Sequence, residues 1–175
     1  MALELNGTTG VSAVQAGAVE SGDLAAGAIG SSDLPAGSVI QVVQDVDTSS
    51  NTATTSTSFI TTNTSASITP LSASNKILIS ISACVDDNNN GRPVLTVFRG
   101  NSNIAPNTTA NDGLTHFEIT TNDRMLSQQS GMFLDPTNTT NQIQYTIRVK
   151  STTGQPIEYR SDIVPATITL MEIAG

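Results

Sequence analysis

The segment Asp86-Asp87-Asn88-Asn89-Asn90-Gly91 is the densest run of oxygen ligands in the sequence. It matches the opening of a calcium loop, in which alternate Asp and Asn side chains wrap one ion and a Gly makes the sharp turn. The EF-hand version needs a bidentate Glu at its twelfth position, which is Val97 here, so that reading fails. A looser calcium site of Asp86, Asn88 and Asn90 is the candidate left beside a plain hairpin turn, which Asn and Gly favour because they tolerate left-handed backbone. Nothing else in the sequence calls for a metal or a cofactor.

Nucleophilic chemistry finds little to work with. His116 and Cys84 are each the only residue of their type, so one chain assembles neither a zinc site nor a pair of histidines or cysteines. His116 shares a strand face with Glu118 while Phe117 and Ile119 point the other way, the pattern of an ordinary exposed histidine. Cys84 alternates with Ser80 and Ser82, as a small packed residue or one at a contact between subunits. No Gly-x-Ser-x-Gly occurs. The 15 Asp and Glu residues include no pair that spacing alone would join for glycoside hydrolysis. A glycan-binding surface stacks sugars on aromatics, yet the chain has no Trp and only 2 Tyr and 4 Phe, with Tyr145 in an inward register. The expectation is a non-enzymatic protein.

Composition narrows the partners. The net charge is −8 and the 7 Lys and Arg residues are scattered, which excludes the clustered cations that phosphate backbones require. No run approaches the roughly 20 apolar residues of a membrane helix, and the start Met1-Ala2-Leu3-Glu4-Leu5 has no basic region or apolar core of a secretory signal. Neither nucleic acid nor membrane insertion is expected, and synthesis is expected in a cytoplasm.

These residues are set in two regions. Residues 1–38 carry a five-residue ladder with an apolar residue in each unit, at Val14, Val19, Leu24, Ile29, Leu34 and, at the junction, Val39. Residues five apart on an α-helix diverge by about 140° and make no stripe, and glycines at 17, 22, 27 and 37 would each cost a helix roughly 1 kcal/mol. An extended, turning chain is expected instead, similar to pentapeptide-repeat β-helices. Six units are too few to stack alone, whereas three chains around one axis bury the ladder.

From Val39 to Gly175 the sequence reads as strands: Val39–Val46, Thr54–Thr62, Ser65–Leu71, Lys76–Val85, Val94–Arg99, Leu114–Thr121, Gln142–Lys150, Ile157–Arg160 and Ala166–Ile173. Ile77, Ile79, Ile81, Ala83 and Val85 should face a core, as should Ile143, Tyr145, Ile147 and Val149. Strands at this spacing without a helix predict an all-β, jelly-roll-like β-sandwich. The last strand is apolar on both faces, Ile168 and Leu170 on one and Met171 and Ile173 on the other, so Met171 and Ile173 are the candidate trimer contacts.

The order of several segments resembles the C-terminal domains of bacteriophage tail-fibre-like structural proteins: Gly37-Ser-Val-Ile-Gln-Val-Val43, Ser58-Phe59, Ser67-Ile-Thr-Pro-Leu-Ser-Ala-Ser-Asn-Lys-Ile-Leu78, Phe98-Arg-Gly100, and Ala166-Thr-Ile-Thr-Leu-Met-Glu-Ile-Ala-Gly175. The opening Leu5-Asn-Gly-Thr-Thr-Gly-Val11 and the ladder are similar to segments of such chains too. The resemblance implies a homotrimeric virion component without catalytic residues. Typical tail fibres are much longer, so 175 residues favour a head-decoration, or cement, protein on the outer surface of the phage particle. Its partners would be its own copies and the major capsid protein. The alternative is a short tail fibre or receptor-binding knob, joined to a tail attachment protein and meeting a host surface glycan.

Overall fold

A computed structural model describes residue 30 and residues 33–105, 113–118 and 124–175. The ladder positions Val14, Val19, Leu24 and Ile29 lie outside the described residues, as does part of the expected strand Leu114–Thr121. The chain divides into two units, Met1–Leu34 and Pro35–Gly175. In the first, Gly30 and Asp33 close a small turn, the Gly30 N–H donating to Asp33 Oδ2 at 2.8 Å. Leu34 is exposed.

The second unit is all-β. Its strands are β1 (Val39–Asp47), β2 (Asn51–Thr54), β3 (Ile60–Ile68), β4 (Lys76–Asn88), β5 (Pro93–Arg99), β6 (Ser102–Asn103), β7 (Thr115–His116), β8 (Arg124–Pro136), β9 (Ile143–Ser151), β10 (Ile157–Arg160) and β11 (Ala166–Ile173). The first sheet has the order β1-β11-β4-β10-β2, with β8 on the other side of β4; the second runs β3-β9-β5-β6, with β7 also on β5. Every pairing is antiparallel.

Alternation of apolar and polar residues gives each sheet one inward face. Ile77, Ile79, Ile81, Ala83 and Val85 of β4 meet Ile143, Tyr145, Ile147 and Val149 of β9 in one core, with Ile168 and Leu170 of β11 and Leu95 and Val97 of β5. This layering is consistent with a β-sandwich.

Polar groups that enter the core are matched across it. The Tyr159 hydroxyl on β10 lies 2.6 Å from Thr64 Oγ1 on β3. Glu172, 0% exposed, accepts from the Asn75 side chain at 2.6 Å, the Leu71 N–H at 2.7 Å and the Gln41 side chain. Each bond offsets the cost of taking that group out of water.

Three expected boundaries differ. The segments Thr54–Thr62 and Ser65–Leu71 become β2 and β3, because Ser56 and its neighbours bond locally: Ser56 N–H donates to Thr54 Oγ1 and Ser58 N–H to Ser56 Oγ, at 3.0 and 3.1 Å. Such side-chain bonds compete with a ladder and turn the chain from one sheet to the other. β4 extends through Asp86 and Asp87, which sequence placed in the turn, since β8 and β10 pair with them on either side. β8 itself, 13 residues long, was not expected: its centre Ser127-Gln-Gln-Ser130 has no apolar alternation, and full-length pairing to β4 decides its conformation.

Candidate functional site

The first sheet turns a second face away from the core, and the register fixes what stands on it. Val42 of β1 is opposite Met171 of β11, Met171 is opposite Leu78 of β4, and Leu78 is opposite Leu134 of β8. One apolar row therefore crosses four strands. The next row is Gln44, Thr169, Ser80 and Met132; the third is Val46, Thr167, Ser82 and Ser130. Ile173 lies beyond the first row, opposite Val39 and Lys76.

Met132 is 66% exposed and Val42 57%, with Val46, Leu134 and Val39 close behind. Met171 and Ile173 are half-buried by these neighbours. The three rows contain no ionisable side chain, their polar groups being hydroxyls and one amide, although the chain as a whole carries −8. The face thus joins one apolar row to two neutral rows in which Met132 and Val46 are the exposed apolar side chains. Sequence reasoning found Met171 and Ile173 but missed Met132 and Leu134, which sit on the unexpected strand β8; their spacing of two residues was the available signal.

The face ends in a charged cluster. Asp86 is fully buried beneath the side chains of Arg124 and Arg160: Arg124 Nε donates to its Oδ2 at 2.6 Å, and Arg160 Nη1 lies 3.5 Å from the same oxygen. Arg160 also meets Glu158 at 3.0 Å and Asp162 at 2.9 Å. The Asp162 carboxyl is held below the usual range by its hydrogen bond from Arg160. Glu158 is directly opposite Asp86, so two carboxylates do come together here, each engaged by arginine.

The candidate calcium ligands are dispersed. Asp86 belongs to that arginine cluster, Asn88 is exposed, and Asn90 Oδ1 accepts from Arg92 Nε at 2.9 Å. Asp87, on the inward face, accepts the Gly91 N–H and, at 3.1 Å, the Arg92 N–H. Asn89, Asn90 and Arg92 have φ of 66°, 63° and 51°, the left-handed turn conformation that Asn tolerates best. Among the described residues no three His, Cys, Asp or Glu side chains converge to hold a metal.

Cys84 lies on the outer side of β4 and is 3% exposed. Burial pushes its thiol pKa up and the nearby Asp86 carboxylate adds to this, the opposite of what activates a thiolate. His116 is exposed on β7, and Glu118 beside it pairs with Arg92 at 3.0 Å. No protein-family profile matches the chain, and no curated protein matches it.

Proposed function

We propose that the chain is a homotrimeric bacteriophage virion structural protein, a capsid decoration protein in which residues 1–38 serve as the attachment arm and residues 39–175 form a jelly-roll domain. The observation that carries this reading is the outer face of the first sheet, where Met171 belongs to an apolar row within an uncharged patch and Ile173 lies at its margin. Copies of a chain with net charge −8 repel one another over most of their surface. They approach at least cost over the three rows that carry no charge, and burying the apolar row supplies the attraction.

Strand order supports the jelly roll. Taking β6 and β7 together as one interrupted strand, the main strands fall into β1-β11-β4-β8 in one sheet and β3-β9-β5-β7 in the other. This order is compatible with the interleaving of two Greek keys. The number three comes from the ladder, which three chains bury and one does not. Decoration needs only such fixed geometry and buried interface: a trimer that binds neighbouring coat subunits holds the shell against internal pressure.

Light scattering on the full chain tests the assembly. A mass of three chains is expected, with Met171→Lys shifting it towards one chain while the thermal transition is retained; a wild-type monomer overturns the trimer. Copy number in purified particles tests the location. Hundreds of copies on the head agree with decoration, and a few dozen on the tail overturn it in favour of a fibre knob.

A further inference from the structure

The outer face of the second sheet carries different chemistry. Phe59, just before β3, and Phe98 of β5 meet edge to face with ring centroids 5.6 Å apart. The Arg148 guanidinium lies 4.1 Å from the Phe98 centroid, and Lys150 Nζ lies 4.6 Å from that of Phe59. Both cations project from β9 on the side opposite its core residues Ile147 and Val149.

Their lack of carboxylate partners sets them apart. Among the described residues Arg92, Arg99, Arg124 and Arg160 each meet an Asp or Glu, whereas Arg148, Lys150 and Lys76 meet none. Lys76 stands elsewhere, on β4. Arg148 Nη2 donates to the Gly100 carbonyl at 3.1 Å, but its Nε is buried without an acceptor. Lys150 is only 9% exposed. Two cations, one partly buried and one buried, stand side by side over aromatic faces in an acidic protein and leave one guanidinium donor unmet.

We propose that Arg148 and Lys150 form an anion site for a single carboxylate carried on a neutral, hydroxylated body, the chemistry of a uronic-acid sugar. The carboxylate takes the unmet Nε–H as the guanidinium turns outward, and the Lys150 ammonium provides the second contact. Thr61, opposite Arg148, with Thr146 and Gln144 along β9, surrounds the cations with neutral hydrogen-bonding groups suited to hydroxyls. A densely charged polyanion is disfavoured by the net charge of −8. The site is on the sheet opposite the proposed self-association face, so its failure leaves the assembly reading untouched.

Calorimetric titration of the full chain with a galacturonate trisaccharide, its methyl ester and a triglutamate peptide tests the site. The free acid is expected to bind with a dissociation constant of about 1 mM or tighter, and the ester at least about tenfold more weakly. Arg148→Gln and Lys150→Met should each weaken the acid about tenfold or more, and Arg92→Gln should not, with thermal melts establishing that each variant is folded. The proposal is overturned by undetectable binding of the acid, equal binding of acid and ester, equal binding of the peptide, unchanged affinity in folded Arg148→Gln and Lys150→Met, or an equal loss in Arg92→Gln.

Discussion

The Tyr145 hydroxyl on β9 donates a hydrogen bond to Asp135 Oδ2 on β8 at 2.7 Å, tying the two sheets together at a point where both residues are buried. Arg99 of β5 completes the group, its Nη1 reaching the two carboxylate oxygens at 3.2 and 3.0 Å. Burial pushes the Tyr145 phenol well above its ordinary value, and the bond to Asp135 adds to this, so the tyrosine remains a donor at any ordinary pH.

Removing the donor and removing the acceptor should therefore differ. Tyr145→Phe loses one bond and leaves Asp135 with Arg99, for about 1 kcal/mol. Asp135→Ala strands a buried phenol and a half-exposed guanidinium together, for about 2–3 kcal/mol. Urea unfolding of the two variants checks the order; equal losses would mean that Arg99 contributes nothing to the group.

Glu172 makes stability depend on acid. Its burial pushes the carboxyl pKa up, but hydrogen bonds from Asn75, Gln41 and the Leu71 N–H outweigh this and hold it below the ordinary 4.5. A folded-state value below the unfolded one means stabilisation that is complete above the unfolded value and lost as pH falls through the folded value. Stability of the wild type should fall on acidification below about pH 4.5. Glu172→Gln should be less stable at neutral pH by about 1–3 kcal/mol and show a shallower acid dependence. Asp47, also held low because its bonds to Ser50 and Ser49 outweigh the effect of burial, and Asp162 supply the dependence that remains. Thermal melts from neutral pH down to pH 3 check both slopes.

The turn after β4 is held by side-chain and backbone bonds within the chain. Asp87 caps the Gly91 and Arg92 N–H groups, and Asp86 is bound by arginine. Calcium at millimolar concentration, or its chelation, is expected to leave the melting temperature unchanged; a rise with calcium would support a metal site at Asp86, Asn88 and Asn90. Gly91→Ala is the sensitive change here, because a Cβ would collide with the Ile157 side chain and lie 2.6 Å from the Pro156 carbonyl oxygen. It should cost about 1–3 kcal/mol by overpacking, measurable by the same melts.

Much of the domain was legible because its strands bury one face. The alternation at Ile77–Val85 and Ile143–Val149 named core residues that are buried in the fold, and Ile157–Arg160 and Ala166–Ile173 begin and end as expected. β8 was not legible, since a strand at the edge of a sheet has weaker demands on its sequence and Ser127-Gln-Gln-Ser130 reads locally as loop. Leu114–Thr121 was expected as a full strand, but within its described part only Thr115 and His116 pair, and Phe117 and Glu118 are irregular.

The sequence by itself determined the all-β class and the inward faces of the major strands, because each follows from composition and from the two-residue period of a strand. Tertiary structure decided the rest. Only cross-strand register could place Val42, Met171, Leu78 and Leu134 in one row, since they come from four distant segments. Only packing could give Asp86 its arginines and leave Arg148 and Lys150 without an acid, because a charge's partner depends on distance through space.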